Sequence, residues 1–542
     1  MEASEPTRAY PFVRPATRLT YGIVLDTDCF LRQWTKKARS KDEGDLAKQG
    51  KPSEQMKKGT SSGLKKLAHH RALRAAVLVA VLLLAAYTAF FRLGDEDWRT
   101  DEATYRQAGL AYVQDGNFNP NQEHPFLVKY VLGVTQVVSG SSEAGVVRIP
   151  AATATLLTGL VLFAFARRVA GYWVGVLALA LWTISPLTLA FGRVATLEVF
   201  LIFFSTLALY LGWRWAEGGS WWFAGLCGVA VGLATASKLV GILFLPAILL
   251  VGLLKIGLSR RLIFQGVLIG LAAVATVLAS YAPAWSEAPS AIQYMLDKQS
   301  RHNARGHWAE IKGVTYKFPP WWAHLWWQWE LYGTLASLSL GVAAVVGVLR
   351  RRALELYLLV AALVPFLVLS FYVNVKLSHY LGAWQPPLIL LLALAAGKLA
   401  RRGIMGGTLA ILLLVPFVYL GAQTVQAVSQ TQAGPYSTVA EHLEYTGHDR
   451  GPILVWGTGG AIQSYLPEAR VLRKPEDAQG EDIDAVIVDS DVSERKPNRP
   501  VESYLANNKD KFELTYTAVE EDKNEPSNSV DEIAVYTRKP DG

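Results

Sequence analysis

Two adjacent carboxylates, Asp101 and Glu102, stand just beyond the first long apolar block of the chain. Carboxylates held outside a membrane can act as a general base, as metal ligands, or as both. An Asp-Glu pair in a merely solvated acidic loop does neither, so the pair needs company. Company follows at Glu123-His124-Pro125-Phe126-Leu127-Val128-Lys129, where charged residues open an apolar segment suited to the membrane interface. Further along, Arg193 and Glu198 flank the start of one apolar block, Lys238 sits between two others, and Lys376 and Tyr380 introduce another. His302 and His307, in Arg301-His302-Asn303-Ala304-Arg305-Gly306-His307, add imidazoles of the kind that ligate metals. Each has a plainer reading. Lysine and arginine at span ends snorkel to the headgroups, Glu198 is an acidic residue in the first turn of a helix, and the histidines belong to an exposed basic loop.

The elements that must position these residues are read from hydropathy. The chain has 542 residues, 51% of them hydrophobic, with 17 Trp and 22 Tyr. Blocks long enough to cross the ~30 Å hydrocarbon core fall at 72–91, 146–166, 172–190, 196–213, 221–237, 239–254, 262–281, 333–349, 354–373, 380–397 and 404–421. They predict an all-α polytopic membrane domain over 71–421 with about 11–13 spans. The stretch 124–140 is read as a further helix lying at the interface. Basic residues orient the array, because cytoplasmic loops are rich in Lys and Arg. The arm 1–70 carries Lys57, Lys58, Lys65 and Lys66, and is expected to be cytoplasmic and disordered, with no signal peptide ahead of the first block. Alternating from there, every inner loop is basic: Arg167 and Arg168; Arg214; Lys255, Arg260 and Arg261; Arg350 to Arg352; Lys398, Arg401 and Arg402. Outer loops then span 92–145 and 282–332, and the tail 422–542 falls outside as a small α/β domain. Its strands are expected at 452–457, 484–489, 512–517 and 532–537, with helices near 436–446 and 500–507. Every candidate site residue comes out on the outer side.

Composition excludes other classes. The net charge of +8 comes from Lys and Arg mostly clustered beside apolar blocks, the pattern of topology determinants and not of a nucleic-acid face. Two cysteines, Cys29 and Cys227, cannot build a disulfide framework or a Cys-rich zinc site. The run Trp321-Trp322-Ala323-His324-Leu325-Trp326-Trp327-Gln328-Trp329 reads as an interfacial anchor, or as aromatic faces for a sugar or an isoprenoid. Gly457-Thr458-Gly459-Gly460 lacks dinucleotide-fingerprint spacing and reads as a strand-to-helix turn.

The ordered set of motifs resembles a known family. Asp-Glu in the first outer loop, a His-Pro segment ending in Lys, Gly192-Arg193-Val194-Ala195-Thr196-Leu197-Glu198, Ser237-Lys238-Leu239-Val240-Gly241, Phe318-Pro319-Pro320-Trp321-Trp322 and Lys376-Leu377-Ser378-His379-Tyr380 with Pro386-Pro387 together look like the C-type-fold membrane glycosyltransferases, and most like protein O-mannosyltransferases and lipid A aminoarabinose transferases. The resemblance runs over 72–400. It departs at Phe126, where the mannosyltransferases have a second Pro. It implies a C-type fold and transfer of a sugar from a polyprenyl- or dolichyl-phosphate donor to a protein Ser/Thr or a glycolipid hydroxyl. Asp101 is then the general base, with Glu102 shaping the acceptor or metal site. Arg193, Lys238 and Lys376, with Tyr380, would hold the donor phosphate. Glu198 and His124 would support them, Glu198 by orienting Arg193. A divalent cation (Zn, Mg or Mn) at the carrier phosphate would use Glu123 and His302.

A transporter is the competing class. It would place ionisable residues near the bilayer midplane, often on repeated, broken helices. Here the charges gather at one face and no repeat is evident. A non-catalytic scaffold would have no need for charges converging from six segments. The partners expected are thus a lipid-linked sugar, an acceptor hydroxyl and the bilayer of the cell membrane, and not nucleic acid.

Overall fold

A computed structural model describes residues 54–456, 459–478, 480–489, 500–521 and 530–539. The chain divides into two compact units, Met1–Ala75 and Ala76–Gly542, and the account below concerns the second. The expected arm 1–70 lies for the most part outside the described residues.

The membrane domain is helical throughout. Its long helices are α1 (Glu54–Phe90), α2 (Thr100–Leu110), α3 (Leu127–Ser139), α4 (Ile149–Ala170), α5 (Tyr172–Thr183), α6 (Leu197–Gly218), α7 (Trp221–Ser237), α8 (Leu245–Ile256), α9 (Arg260–Ala279), α10 (Ala288–Arg305), α11 (Ala323–Arg350), α12 (Ala353–Leu367), α13 (Gln385–Leu399) and α14 (Gly403–Ser429). Eight helical segments among the described residues are long and apolar enough to cross a membrane, and α5, α7 and α13 are shorter apolar helices. Each expected block therefore corresponds to a helix, and the chain is a multi-pass membrane protein. The blocks at 172–190 and 380–397 are not continuous. The first breaks after Thr183, before Pro186, and the second opens with a 3-10 turn, Ser378–Ala383. Proline in the first turn of a helix costs no internal bond, and Pro186, Pro246 and Pro386 all start helices this way. The tryptophan run forms the first turns of α11, separated from the rest by a kink at Gly333.

Contacts alone show that the array is one-sided. Arg168 at the end of α4 pairs with Glu217 at the end of α6 at 3.1 Å. Arg401 donates to the Ala170 carbonyl at 2.6 Å. Arg261 at the start of α9 donates to the Gly219 carbonyl. Lys398 and Arg350 both reach Glu355, at 2.6 and 3.8 Å. The predicted inner loops thus meet at one end of the bundle. Glu198 and Lys238 sit at the opposite ends of α6 and α7.

The tail is a small α/β layer. It contains α15 (Pro435–Thr446), α16 (Gly459–Tyr465) and α17 (Pro500–Asn507), with strands β3 (Pro452–Trp456), β4 (Arg470–Leu472), β5 (Ala485–Asp489), β6 (Phe512–Glu521) and β7 (Val530–Arg538). The sheet order is β4-β3-β5-β7-β6, with β3 parallel to both neighbours and β7 antiparallel to both of its own. The four expected strands and two expected helices are present. β4 was not expected: three residues are too short for an alternation pattern to register. The membrane domain also runs further than 421, because α14 continues to Ser429. A separate hairpin, β1 (Ala309–Ile311) and β2 (Val314–Tyr316), follows α10 in the second outer loop.

Candidate active site

The first outer loop is built around one buried ion pair. Glu102 is fully buried, and Arg148, just ahead of α4, is 1% exposed. Arg148 binds both carboxylate oxygens, Nε to Oε1 at 2.9 Å and Nη2 to Oε2 at 2.8 Å. Its remaining hydrogens go to the carbonyls of Leu93 (3.1 Å), Glu96 (2.8 Å) and Asp97 (2.6 Å). Glu102 also accepts from Ala195 N at 2.7 Å and from Arg99 N at 3.1 Å, the latter closing the start of α2. Every lone pair directed at the protein is used, as a buried charge requires. The structure therefore corrects the expectation for Glu102. It is a frame residue, out of reach of any substrate.

α2 is held against α3 by a backbone contact. A Cβ on Gly109 would lie 2.2 Å from the Lys129 carbonyl oxygen, and one on Gly133 would lie 2.0 Å from the Gly109 oxygen. Only hydrogen fits at either position. This contact and the Glu102 pair fix the position of Asp101, one residue away.

Asp101 turns its side chain out to solvent in a recess of the protein. The surrounding protein raises its carboxyl above the ordinary value. The charge of Glu198 adds to this, while His379, Lys238 and His307 oppose it. Four other segments thus converge on this one carboxylate. Among them Glu198 has two close partners: Lys238 Nζ pairs with Oε1, and His379 Nε2 lies 3.2 Å from the same oxygen. Lys238 Nζ also stands 4.4 Å from the centre of the Tyr380 ring. Lys238 is positioned by the turn that follows α7. Gly241 presses its Cα onto that helix, where a Cβ would meet the Ala234 carbonyl carbon at 2.3 Å. Glu198, Lys238, His379 and Tyr380 line a small recess together with Leu201, Ile202, Val240, Leu369 and Ala383.

The histidines surround the same point. The His124 ring stands edge-on to Tyr105 at 5.9 Å. Burial, then the charges of Lys238 and Lys129, push its imidazole down to about 3, so it is neutral at any physiological pH. His302 and His307 face each other with ring centres 5.6 Å apart. Burial lowers His307, His302 lowers it further, and Asp101 opposes both. Lys129, fully buried, donates to the Asn121 carbonyl and to the His124 carbonyl at 2.9 Å, tying down the turn that carries Glu123 and His124. Glu123 is held through its carbonyl, which accepts from Gln299 Nε2 at 2.8 Å. Among the described residues no three His, Cys, Asp or Glu side chains are grouped to hold an ion. The residues present do not fit a preformed metal site, and no step below uses one.

The expected phosphate cations divide. Lys238 is in the cluster. Lys376 lies at the same end, close enough for its charge to act on His324. It is 4% exposed, and no carboxylate among the described residues lies within ion-pair distance of its ammonium. Arg193 is elsewhere: 2% exposed, it donates to the carbonyls of Phe91 (2.7 Å) and Arg92 (3.0 Å), with Glu96 at 3.9 Å. It clamps the end of α1, and Glu198 orients Lys238 and His379, not Arg193. The sequence reading passed over Arg148 and His379. Arg148 lies ahead of α4 and looks like any charge at a span end; His379 stands inside a motif already singled out, beside Tyr380.

Known proteins share this fold. The family model described as dolichyl-phosphate-mannose-protein mannosyltransferase matches residues 123–285. No curated protein matches the chain by sequence. Among solved structures, ArnT from Cupriavidus metallidurans bound to undecaprenyl phosphate is similar at TM-score 0.58 and 14% identity, over 85% of this chain and 97% of that one. The Archaeoglobus fulgidus oligosaccharyltransferase is similar at TM-score 0.51 and 12% identity, over 77% of this chain and 69% of that one. At these identities the likeness is one of fold, and the matched segment adds sequence evidence across α3 to α9. The chain thus has the C-type fold of these membrane glycosyltransferases, and its residues 123–285 are similar to the mannosyltransferase family model.

Proposed function

We propose that the chain transfers a sugar, mannose or another hexose or pentose, from a polyprenyl-phosphate donor to a protein or glycolipid hydroxyl on the extracytoplasmic side. The observation that carries this is Asp101: an exposed carboxylate with a raised pKa, facing Lys238 and His379 from separate segments at the end of the bundle opposite the basic loops. In the reaction the acceptor oxygen attacks the anomeric carbon and gives its proton to Asp101, while the bond from that carbon to the phosphate oxygen breaks. The phosphate leaves as a monoester with an added negative charge. Lys376, which has no carboxylate partner among the described residues, and Lys238 with Tyr380 offset that charge. Glu198 holds Lys238 and His379 in place. The ArnT structure holding undecaprenyl phosphate is a precedent for this class of carrier in this fold. The basic end is then cytoplasmic, as is the N-terminus. A metal, if one takes part, would have to be gathered by carrier phosphate together with Glu123 or His302.

The test is transfer from radiolabelled polyprenyl-phosphate sugars by purified protein in lipid. Wild type is expected to release polyprenyl phosphate with at least one donor, and Asp101→Asn to lose ~10²-fold or more of that rate. Wild-type protein that releases carrier from no donor would overturn the reading.

A further inference from the structure

The C-terminal domain holds the catalytic loop by a charged contact that the reaction above does not use. Asp97 accepts from the first-turn amides of α15, Tyr436 N at 2.6 Å and Ser437 N at 3.0 Å, and from the Tyr465 hydroxyl at the end of α16 at 2.9 Å. A carboxylate on these amides also meets the positive end of the α15 dipole. The carbonyl of the same residue accepts from Arg148 Nη2 at 2.6 Å. Arg148 in turn grips both oxygens of Glu102, next to Asp101. Two further links run beside this one. Gly434 N donates to the Asp95 carbonyl at 3.1 Å, and Arg92 Nη1 donates to the Thr431 carbonyl at 2.5 Å. Apolar packing follows the same route, since α16 lies on α2 and Trp98, Tyr105 and Leu132 share one continuous core with Tyr436, Val439 and Ile462.

We propose that the C-terminal domain is a positioning element of the transfer reaction, and that Asp97 is the residue through which it sets the place of Asp101. The domain reaches the reacting centre by a connected set of short bonds: α15 amides to Asp97, Asp97 to Arg148, Arg148 to Glu102, Glu102 to the start of α2. Asp97 touches no substrate. Its effect is on where the base stands when the acceptor arrives. This rests on the reading that Asp101 is the base, and the experiment separates the two.

Full-length wild type, Asp97→Ala, Asp97→Asn and Tyr465→Phe are compared in lipid by two measurements: transfer kinetics with a radiolabelled polyprenyl-phosphate sugar, and amide exchange across 99–110 and 435–446. In Asp97→Ala, exchange is expected to rise in both segments. Because a displacement of about 1 Å can cost ~10²-fold in rate, kcat is expected to fall at least ~10-fold with the donor KM unchanged. Asp97→Asn keeps a capping oxygen and should lie between Asp97→Ala and wild type. Tyr465→Phe removes one bond of the three and gives the same direction, more weakly, should Asp97→Ala not fold. If α15 amides are freed while exchange across 99–110 stays as in wild type, the inference is overturned whatever the activity. Equal damage in Asp97→Asn and Asp97→Ala overturns it too, because the cap would then not be the link. If wild type turns over no donor, the functional reading fails, and the exchange data still decide this one.

Discussion

A raised pKa on an exposed carboxylate separates stability from activity at Asp101. The folded protein holds this proton to higher pH than an unfolded aspartate, whose ordinary value is about 3.9. Between the two values the folded state binds more protons, so stability falls as pH rises through that window. Asp101→Asn removes this loss, so its Tm should rise in a thermal shift while transfer is lost. The acid limb of kcat against pH should lie above the ordinary aspartate range, because the base works only when deprotonated. Lys376 gives a different signature. Its ammonium has no carboxylate partner among the described residues and would meet carrier phosphate. Lys376→Met should therefore raise the donor KM by ~10-fold or more, the order expected of one lost charge-assisted hydrogen bond of about 1.5–3 kcal/mol. A Lys376→Met enzyme with wild-type donor KM would show that the phosphate lies elsewhere.

At the scale of elements, the position of Asp101 follows from how α2 rests on α3. Gly109 and Gly133 let two backbones touch, and any side chain there forces the helices apart. Gly133→Ala is expected to cost about 1–3 kcal/mol of stability, the range for overpacking. It should also lower kcat more than it changes donor KM, since Lys238, Lys376 and Tyr380 are on other helices. Measurement of both constants on protein that still folds decides the point. The Ser-Lys-x-x-Gly turn works in the same way for Lys238, through Gly241. These motifs are glycine-containing because a short, close contact has to aim a long charged side chain.

At the scale of the whole molecule, one end of the bundle is tied by Arg and Lys to Glu217, Glu355 and helix-end carbonyls, and the other end carries the site and the tail. The orientation proposed for it is open to direct measurement. In a Cys29→Ser background, whose remaining Cys227 is buried, a cysteine at Tyr445 (91% exposed) should react with a membrane-impermeant maleimide in intact cells. A cysteine at exposed Arg401 should react only after permeabilisation. The reverse pattern would invert the topology and, with it, the side on which the sugar is delivered.

Hydropathy and the placement of Lys and Arg located the apolar helices and the end of the bundle at which the basic loops gather, because each is set within a window of about 20 residues by the cost of burying charge in hydrocarbon. The order of motifs carried the resemblance to the C-type fold. What those windows do not contain is which charge meets which. Asp101 and Glu102 are neighbours of the same type, yet one faces solvent and the other is used up by Arg148, forty-six positions on. Arg193 and Lys376 look alike as cations at span ends, yet one is bound to the carbonyls of Phe91 and Arg92 and the other has no carboxylate partner among the described residues. The link from the tail to the loop through Asp97 crosses most of the chain. Such pairings depend on helix rotation and on contacts between distant segments, and only the tertiary structure decides them.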